Sequence, residues 1–374
     1  MTKERSYEVD IIRMAALIGI CVVNLPFMAL PDGGLIISHQ GWDLVVSFFI
    51  ACFFELKFFL LFSFIFGWGM AIQNKSAQSR GESFSRRYFG RMIGLALMGM
   101  AHAIWVFSGD ILLLYAILGA LLWTLRGHSP TALIKIALWM LPISICSLTT
   151  LALMVEVGDD VLWLSDSVVA ASPQLGGDFS EATQRRLLDW PKTFAFILTV
   201  QGPMAFGAFA MGLAAEKSDF FKPNSLGFNA LQKKLPVLAI TASVLNLLYG
   251  LSASERFSQA YEILALLGFV LVPIGASALS ALYLYLLIQL SRRLQIPHLL
   301  VLSGRNSLST YVLQGIFGGF VFGAYGFGWF NKIEPATLLP LSLLIALLSM
   351  LCVGVIAKFF GRGPLEPVLR WFSG

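Results

Sequence analysis

His102 is the side chain whose surroundings most demand an explanation. It stands in Gly99-Met100-Ala101-His102-Ala103, eleven residues beyond Arg91. That is about 16 Å further along a helix, deep within an apolar run. Asp110 follows across Ser108-Gly109. A neutral imidazole oriented by a carboxylate is the usual general-base arrangement near neutral pH. A buried histidine is often only a satisfied core residue. At bilayer depth, however, an ionisable group costs about 3 kcal/mol on insertion scales, which favours a functional role. The plain role for Asp110 is to cap the helix that follows it.

Two further segments could handle an anionic ligand. Ser83-Phe84-Ser85-Arg86-Arg87-Tyr88-Phe89-Gly90-Arg91 is a basic stretch running into a helix. Arg86, Arg87 and Arg91 suit phosphate groups, because guanidinium forks match phosphate oxygens; the plainer reading is a marker of the cytoplasmic side. Gly304-Arg305-Asn306-Ser307-Leu308-Ser309-Thr310-Tyr311-Val312-Leu313-Gln314 opens a spanning run with many polar side chains. It reads as the wall of a polar cavity, since such groups are expensive against lipid. Asp10 and Arg13 lie three apart on one helical face, as an interfacial ion pair or a ligand contact. Asn24 is deeper on that face and needs a partner. Glu55 and Lys57, two apart, cannot pair directly on one helix and should face other spans or water. His39, beside Gln40-Gly41-Trp42-Asp43, reads by default as an exposed loop histidine.

The elements that must hold these groups are set by composition. Of 374 residues, 57% are hydrophobic and 13% charged, and mean hydropathy is +0.78. Soluble domains carry roughly 25% charged residues, so the bilayer must be the main solvent. Apolar runs fall near 10–30, 43–72, 92–107, 110–126, 131–154, 193–214, 235–251, 261–290, 298–326 and 337–358. They predict an all-α, polytopic transmembrane bundle of about ten spans, the second either long and tilted or broken, the third and fourth a tight hairpin. Alternate loops collect seventeen basic residues against five in the loops between them. The positive-inside rule then puts both termini in the cytoplasm. Residues 1–374 read as one integral membrane domain, with 155–192 as an acidic extracytoplasmic loop or cap. Met1–Asp10 is polar and the first apolar run has no small-residue cleavage site, so that run is predicted to remain as an anchor.

The net charge of +5 follows from this topology signal, and nucleic acid is not expected as a partner. Cys21, Cys52, Cys146 and Cys352 sit in apolar runs without CxxC spacing, so neither a disulfide framework nor a metal site is expected.

Four strings together resemble the YeiB family of bacterial inner-membrane proteins, a group labelled as a domain of unknown function. They are Asp10 to Asn24, Lys57 to Gly67, Gly99 to Ala116 and Gly304 to Gln314, in family order. Met14 departs from the pattern, which usually has Gly there. The family in turn resembles, distantly, transmembrane acyltransferases such as heparan-α-glucosaminide N-acetyltransferase and polysaccharide O-acyltransferases. That resemblance implies acyl-CoA on the cytoplasmic side, an acceptor reached from the other, and a histidine as base or acyl relay. In some relatives the essential histidine follows the first span, where this chain has His39; the YeiB-like pattern points to His102.

The expectation is a multi-pass protein of the cytoplasmic (inner) membrane that uses acyl-CoA to acylate a hydroxyl or amine on a small-molecule, glycan or lipid acceptor. His102 and Asp110 would be catalytic, with His39 the alternative base. Arg86, Arg87, Arg91, Arg305 and Asn306 would hold the acyl-CoA. Asp10, Arg13, Asn24, Ser307, Tyr311 and Gln314 would contact substrate. Membrane lipids are expected partners and a homodimer stays open. The alternative is a transporter of a small metabolite or lipid-linked compound with a His/Asp proton relay.

Overall fold

The computed structural model describes residues 7–30, 40–157, 177–222, 225–254, 257 and 260–373. His39 and residues 158–176 of the acidic segment lie outside the described residues. No strand occurs among the described residues. The architecture is an all-α polytopic bundle, as hydropathy requires when each span must satisfy its own backbone in lipid.

The helices in order are α1 (Tyr7–Ala29), α2 (Gly41–Phe53), α3 (Lys57–Ser79), α4 (Phe84–Trp105), α5 (Leu112–Leu122), α6 (Pro130–Val157) and α7 (Phe179–Lys217). They continue as α8 (Leu226–Ser252), α9 (Glu262–Val270), α10 (Val272–Arg293), α11 (His298–Arg305), α12 (Ser307–Phe322), α13 (Pro335–Phe360) and α14 (Leu365–Ser373). Among the described residues, seven segments are long and apolar enough to cross a bilayer: α1, the α2–α3 pair, α6, α7, α8, α10 and α13. Helices α5 and α12 are apolar but shorter. Each of the ten predicted runs falls on a helix or on a broken pair.

The breaks are where polar groups are buried. The second run divides at Phe54–Leu56, with Leu56 in the left-handed region at φ 65°. An unbroken helix would send Glu55 and Lys57 to different faces. Across the break, Lys57 Nζ donates to Ala51 O at 2.6 Å and lies over the Tyr249 ring, while Glu55 accepts from the Tyr249 hydroxyl at 2.5 Å. The ninth run divides at Asn306, whose Nδ2 donates to Leu302 O at 2.8 Å and whose Oδ1 accepts from Gly363 N at 2.9 Å. The eighth run divides at Leu271, ahead of Pro273.

From Phe179 onward the acidic segment is the first part of α7, a 39-residue helix about 58 Å long. Its N-terminus is fixed by a capping box: Asp178 accepts from Glu181 N at 2.9 Å and Glu181 accepts from Asp178 N at 3.0 Å.

The tightest seam joins α3 to α7. Gly67 faces the backbone of Phe209, and Gly212 faces that of Phe64, with no room for a Cβ on either. Small residues let helices approach where the hydrophobic effect offers no drive between them. Gly212→Val should therefore destabilise the bundle by about 1–3 kcal/mol or prevent its assembly. Gly127→Ala, with nothing within 4 Å, should leave thermal stability in detergent unchanged. Equal melting of the two variants would contradict this packing.

Candidate functional site

The α4–α5 hairpin builds the site around His102. Gly99 lets the helices meet: a Cβ there would lie 2.5 Å from Leu113 N and 2.9 Å from Asp110 Oδ2. At the end of α4 the His102 carbonyl accepts from both Val106 N and Phe107 N at 2.9 Å. The last two carbonyls of α4, Ile104 O and Trp105 O, are taken by the Arg186 guanidinium of α7 at 2.9 and 3.0 Å. Four carbonyls at a helix C-terminus lack intrahelical partners, and a buried end must supply others. Arg186, 1% exposed, does so here. In the sequence its only signal is its charge, as one of the five basic residues in the loops opposite the basic ones.

His102 is 4% exposed and Asp110 1%. His102 Nδ1 lies 2.9 Å from Asp110 Oδ1. Asp110 Oδ2 accepts from Leu112 N at 2.8 Å and Leu113 N at 3.4 Å. Both readings of Asp110 thus hold together: one oxygen orients the histidine, the other caps α5. A carboxylate only accepts, so Nδ1 carries the hydrogen, and in the neutral imidazole Nε2 then presents its lone pair. That Nε2 has no hydrogen-bond partner within the protein.

Tyr311 of α12 closes the group. Its ring centroid is 5.2 Å from that of His102; its hydroxyl bonds to Asp110 and accepts from Ile111 N at 3.4 Å. Two spaces meet at this side chain. One is a pocket of about 10 Å³ lined by Cys21, Asn24, Leu25, Met28, His102, Phe107, Tyr311, Gln314 and Gly315, room for roughly one water. The other is a cavity of about 1320 Å³. Tyr311 is the one residue common to both linings. His102 lines only the small pocket, and Gly315 leaves room for its Nε2: a Cβ there would lie 2.6 Å from it.

The large cavity is lined by eight basic residues, Arg13, Arg80, Arg87, Arg91, Lys222, Arg305, Arg362 and Arg370, against five acidic ones, Glu8, Asp10, Glu216, Asp219 and Glu366. Its apolar lining includes Phe62, Ile65, Phe66, Leu95 and Leu112, with Tyr115 beside them. Helix α14 supplies one wall and is tied to the head of α12, where Glu366 accepts from Ser309 N at 3.1 Å and from the Ser309 hydroxyl. A basic chamber with an apolar interior suits an anionic amphiphile.

The candidates separate cleanly between these spaces. Arg87, Arg91, Arg305, Asn306, Ser307, Asp10 and Arg13 line the large cavity; Asn24, Gln314 and His102 line the small pocket; Tyr311 lines both. Arg86 is exposed and is not in the cavity lining. Asp10 and Arg13 form their ion pair at 3.2 Å, Arg87 pairs with Glu82, and Asn306 uses both amide ends within the fold. The sequence reading missed Arg80, Lys222, Arg362 and Arg370 because their only signal was loop charge. It missed Cys21, in the small-pocket lining, because an apolar helix hides a thiol. Among the described residues no group of His, Cys, Asp and Glu has the makings of a metal site.

The double duty of Asp110 gives a stability prediction. Asp110→Ala should lower stability by about 1–2 kcal/mol through the lost cap alone. Asp110→Asn should lose less, because its amide oxygen can still accept from Leu112 N. Its NH2 would then face Nδ1 and move the imidazole hydrogen to Nε2. Detergent melting of both variants checks the order.

Comparison with known proteins places the chain. Residues 215–374 match a family described as a protein of unknown function (DUF418). The uncharacterized protein YxaH of Bacillus subtilis is 24% identical, with 99% of this chain and 94% of the relative covered. The uncharacterized protein YeiB of Escherichia coli is 23% identical over 98% of this chain and 96% of its own length. A protein from Bacillus acidopullulyticus is 32% identical over 32% of this chain and 33% of the relative. No solved structure matches. The chain is thus a membrane-type helical protein, similar over nearly its whole length to YxaH and YeiB and over its C-terminal part to the DUF418 family.

Proposed function

We propose that the protein is an acyltransferase of the bacterial inner membrane, with both termini in the cytoplasm, using acyl-CoA to acylate a hydroxyl or amine. The observation that carries this reading is the juxtaposition of the two spaces: a large, net-basic cavity whose floor includes Tyr311, and immediately behind Tyr311 a buried His–Asp pair. The cavity exceeds the roughly 300–1,000 Å³ of ordinary small-molecule sites, as a nucleotide-linked thioester would require. Arg80, Arg87, Arg91, Arg305, Arg362 and Arg370, all in its lining, would hold its phosphates. Phe62, Ile65, Phe66 and Leu95 would shelter the acyl arm.

In this reading His102 Nε2 takes the proton of the attacking acceptor and returns it to the departing sulfur. Asp110 fixes the tautomer and stabilises the imidazolium. Tyr311 separates the thioester from the base at rest. A change of its rotamer would join the two spaces and bring its hydroxyl toward the thioester oxygen, where developing charge needs a donor. The acceptor would approach from the small pocket, which lies eight residues further along α1 than Arg13, measured to Cys21, or about 12 Å deeper.

A second reading, a transporter of a small metabolite or lipid-linked compound, draws on the broken pair α11–α12 at the cavity, since interrupted helices line many carrier sites. Purified protein separates the two. Under the first reading, micromolar acyl-CoA raises the melting temperature. Arg91→Ala and Arg305→Ala each weaken its binding about tenfold, and His102→Ala still binds but transfers at least a hundredfold more slowly. Absence of any acyl-CoA stabilisation, together with solute uptake into vesicles, would replace the enzyme with the carrier.

A further inference from the structure

We infer that the small pocket selects a primary amine as acceptor rather than an alcohol. The inference rests on the acyltransferase reading and specifies its acceptor. It comes from counting hydrogens around two buried atoms. His102 Nε2 has no protein partner, and neither does Gln314 Oε1. Both residues are more than nine-tenths buried, at 4% and 3% exposure, and both line the same pocket of about 10 Å³.

Both atoms are acceptors, and each is fixed as one by its other end. In the neutral imidazole, Nδ1–H of His102 is committed to the Asp110 carboxylate and Nε2 keeps its lone pair. The Gln314 amide cannot be flipped, because its Nε2 donates at 3.3 Å to Leu17 O, a carbonyl that only accepts. A species between two acceptors must bring two hydrogens. Water brings two, and so does a primary amine; a hydroxyl brings one and leaves a buried acceptor unpaired, which is how a polar site rejects a close analogue. The pocket admits one water-sized atom, so only the reacting nitrogen sits there. Met28, unbranched and flexible, is the wall residue that yields to its substituent.

The chemistry balances. The neutral amine points one N–H at Nε2 and the other at Gln314 Oε1, which leaves its lone pair for the thioester carbon. The C–N bond forms and the C–S bond breaks. The proton passes from nitrogen to Nε2 and then to the departing sulfur, giving an amide and the free thiol of CoA. Gln314 acts here as a specificity residue.

The test uses the full-length protein in lipid nanodiscs with acetyl-CoA and two matched acceptor pairs, propylamine with 1-propanol and glucosamine with glucose. Products are quantified by mass spectrometry after subtraction of the His102→Ala rate, which removes uncatalysed amide formation. We expect kcat/KM to favour the amine at least tenfold in both pairs, and Gln314→Leu, still stabilised by acetyl-CoA, to lose most of that preference. In a second measurement without acetyl-CoA, propylamine should raise the melting temperature of the native protein, whereas N,N-dimethylpropylamine and 1-propanol should not, and Gln314→Leu should abolish the shift. Equal acylation of alcohols, or a preference unaltered in Gln314→Leu, overturns the acceptor assignment while leaving acyl transfer in place. Failure of acetyl-CoA to bind at all overturns acyl transfer and this inference together.

Discussion

The structure depends on one constraint: inside a bundle bathed in lipid, a polar atom must find its partner within the protein. Asp110 shows how fully this is met. Its two oxygens serve a histidine, two backbone N–H groups and a tyrosine hydroxyl, so the loop that carries it is held by the same bonds that set the imidazole. A group so completely engaged is expensive to disturb. The histidine is positioned because the hairpin is stable, and the hairpin is stable partly because of the bonds around the histidine. Against that background, His102 Nε2 and Gln314 Oε1 are two of several buried polar atoms without a protein partner, and they belong to residues that line one pocket.

The same constraint explains where helices stop. Continuous helices would be the cheapest way to cross a membrane, yet breaks occur at Glu55–Leu56 and at Asn306. In each, side chains bond the carbonyls beside the break. Lys57 Nζ reaches Ala51 O, Asn306 Nδ2 adds a second bond to Leu302 O, and the Thr310 hydroxyl reaches Ser303 O. The break at Asn306 also lets Glu366 and Gly363 tie the C-terminal helix to α12. That tie carries Arg370 and Leu369 into the cavity wall. The interruption at Asn306 therefore lies in the wall of the large cavity.

Charge has two roles in this protein that look alike from the chain alone. Lys and Arg gathered in alternate loops orient the spans, and they also line the cavity. Arg86 and Arg87 are adjacent in sequence, yet only Arg87 enters the lining; a rotation of about 100° per helical residue separates a ligand contact from a solvated surface group. Arg186 is the reverse case. Read as an outer-loop charge, it is among the most buried large side chains, because the free carbonyls at the end of α4 need a donor that α7 can supply.

The sequence by itself determined the bundle. Runs of twenty apolar residues admit one solution in lipid, so the helices, their hairpins and the deep position of His102 were legible. So was the pairing of His102 with Asp110, which a short turn makes nearly unavoidable. Tertiary structure alone decided which polar residues share a space. That Tyr311 stands between two chambers, that Gln314 from α12 meets His102 from α4, and that Arg362 and Arg370 join Arg91 all depend on contacts between helices far apart in the chain. The physical reason is one of range: hydropathy and turn length act over a few residues and leave their mark in the local text. Side-chain convergence is set by how whole helices rotate and tilt against one another, and no local pattern records that.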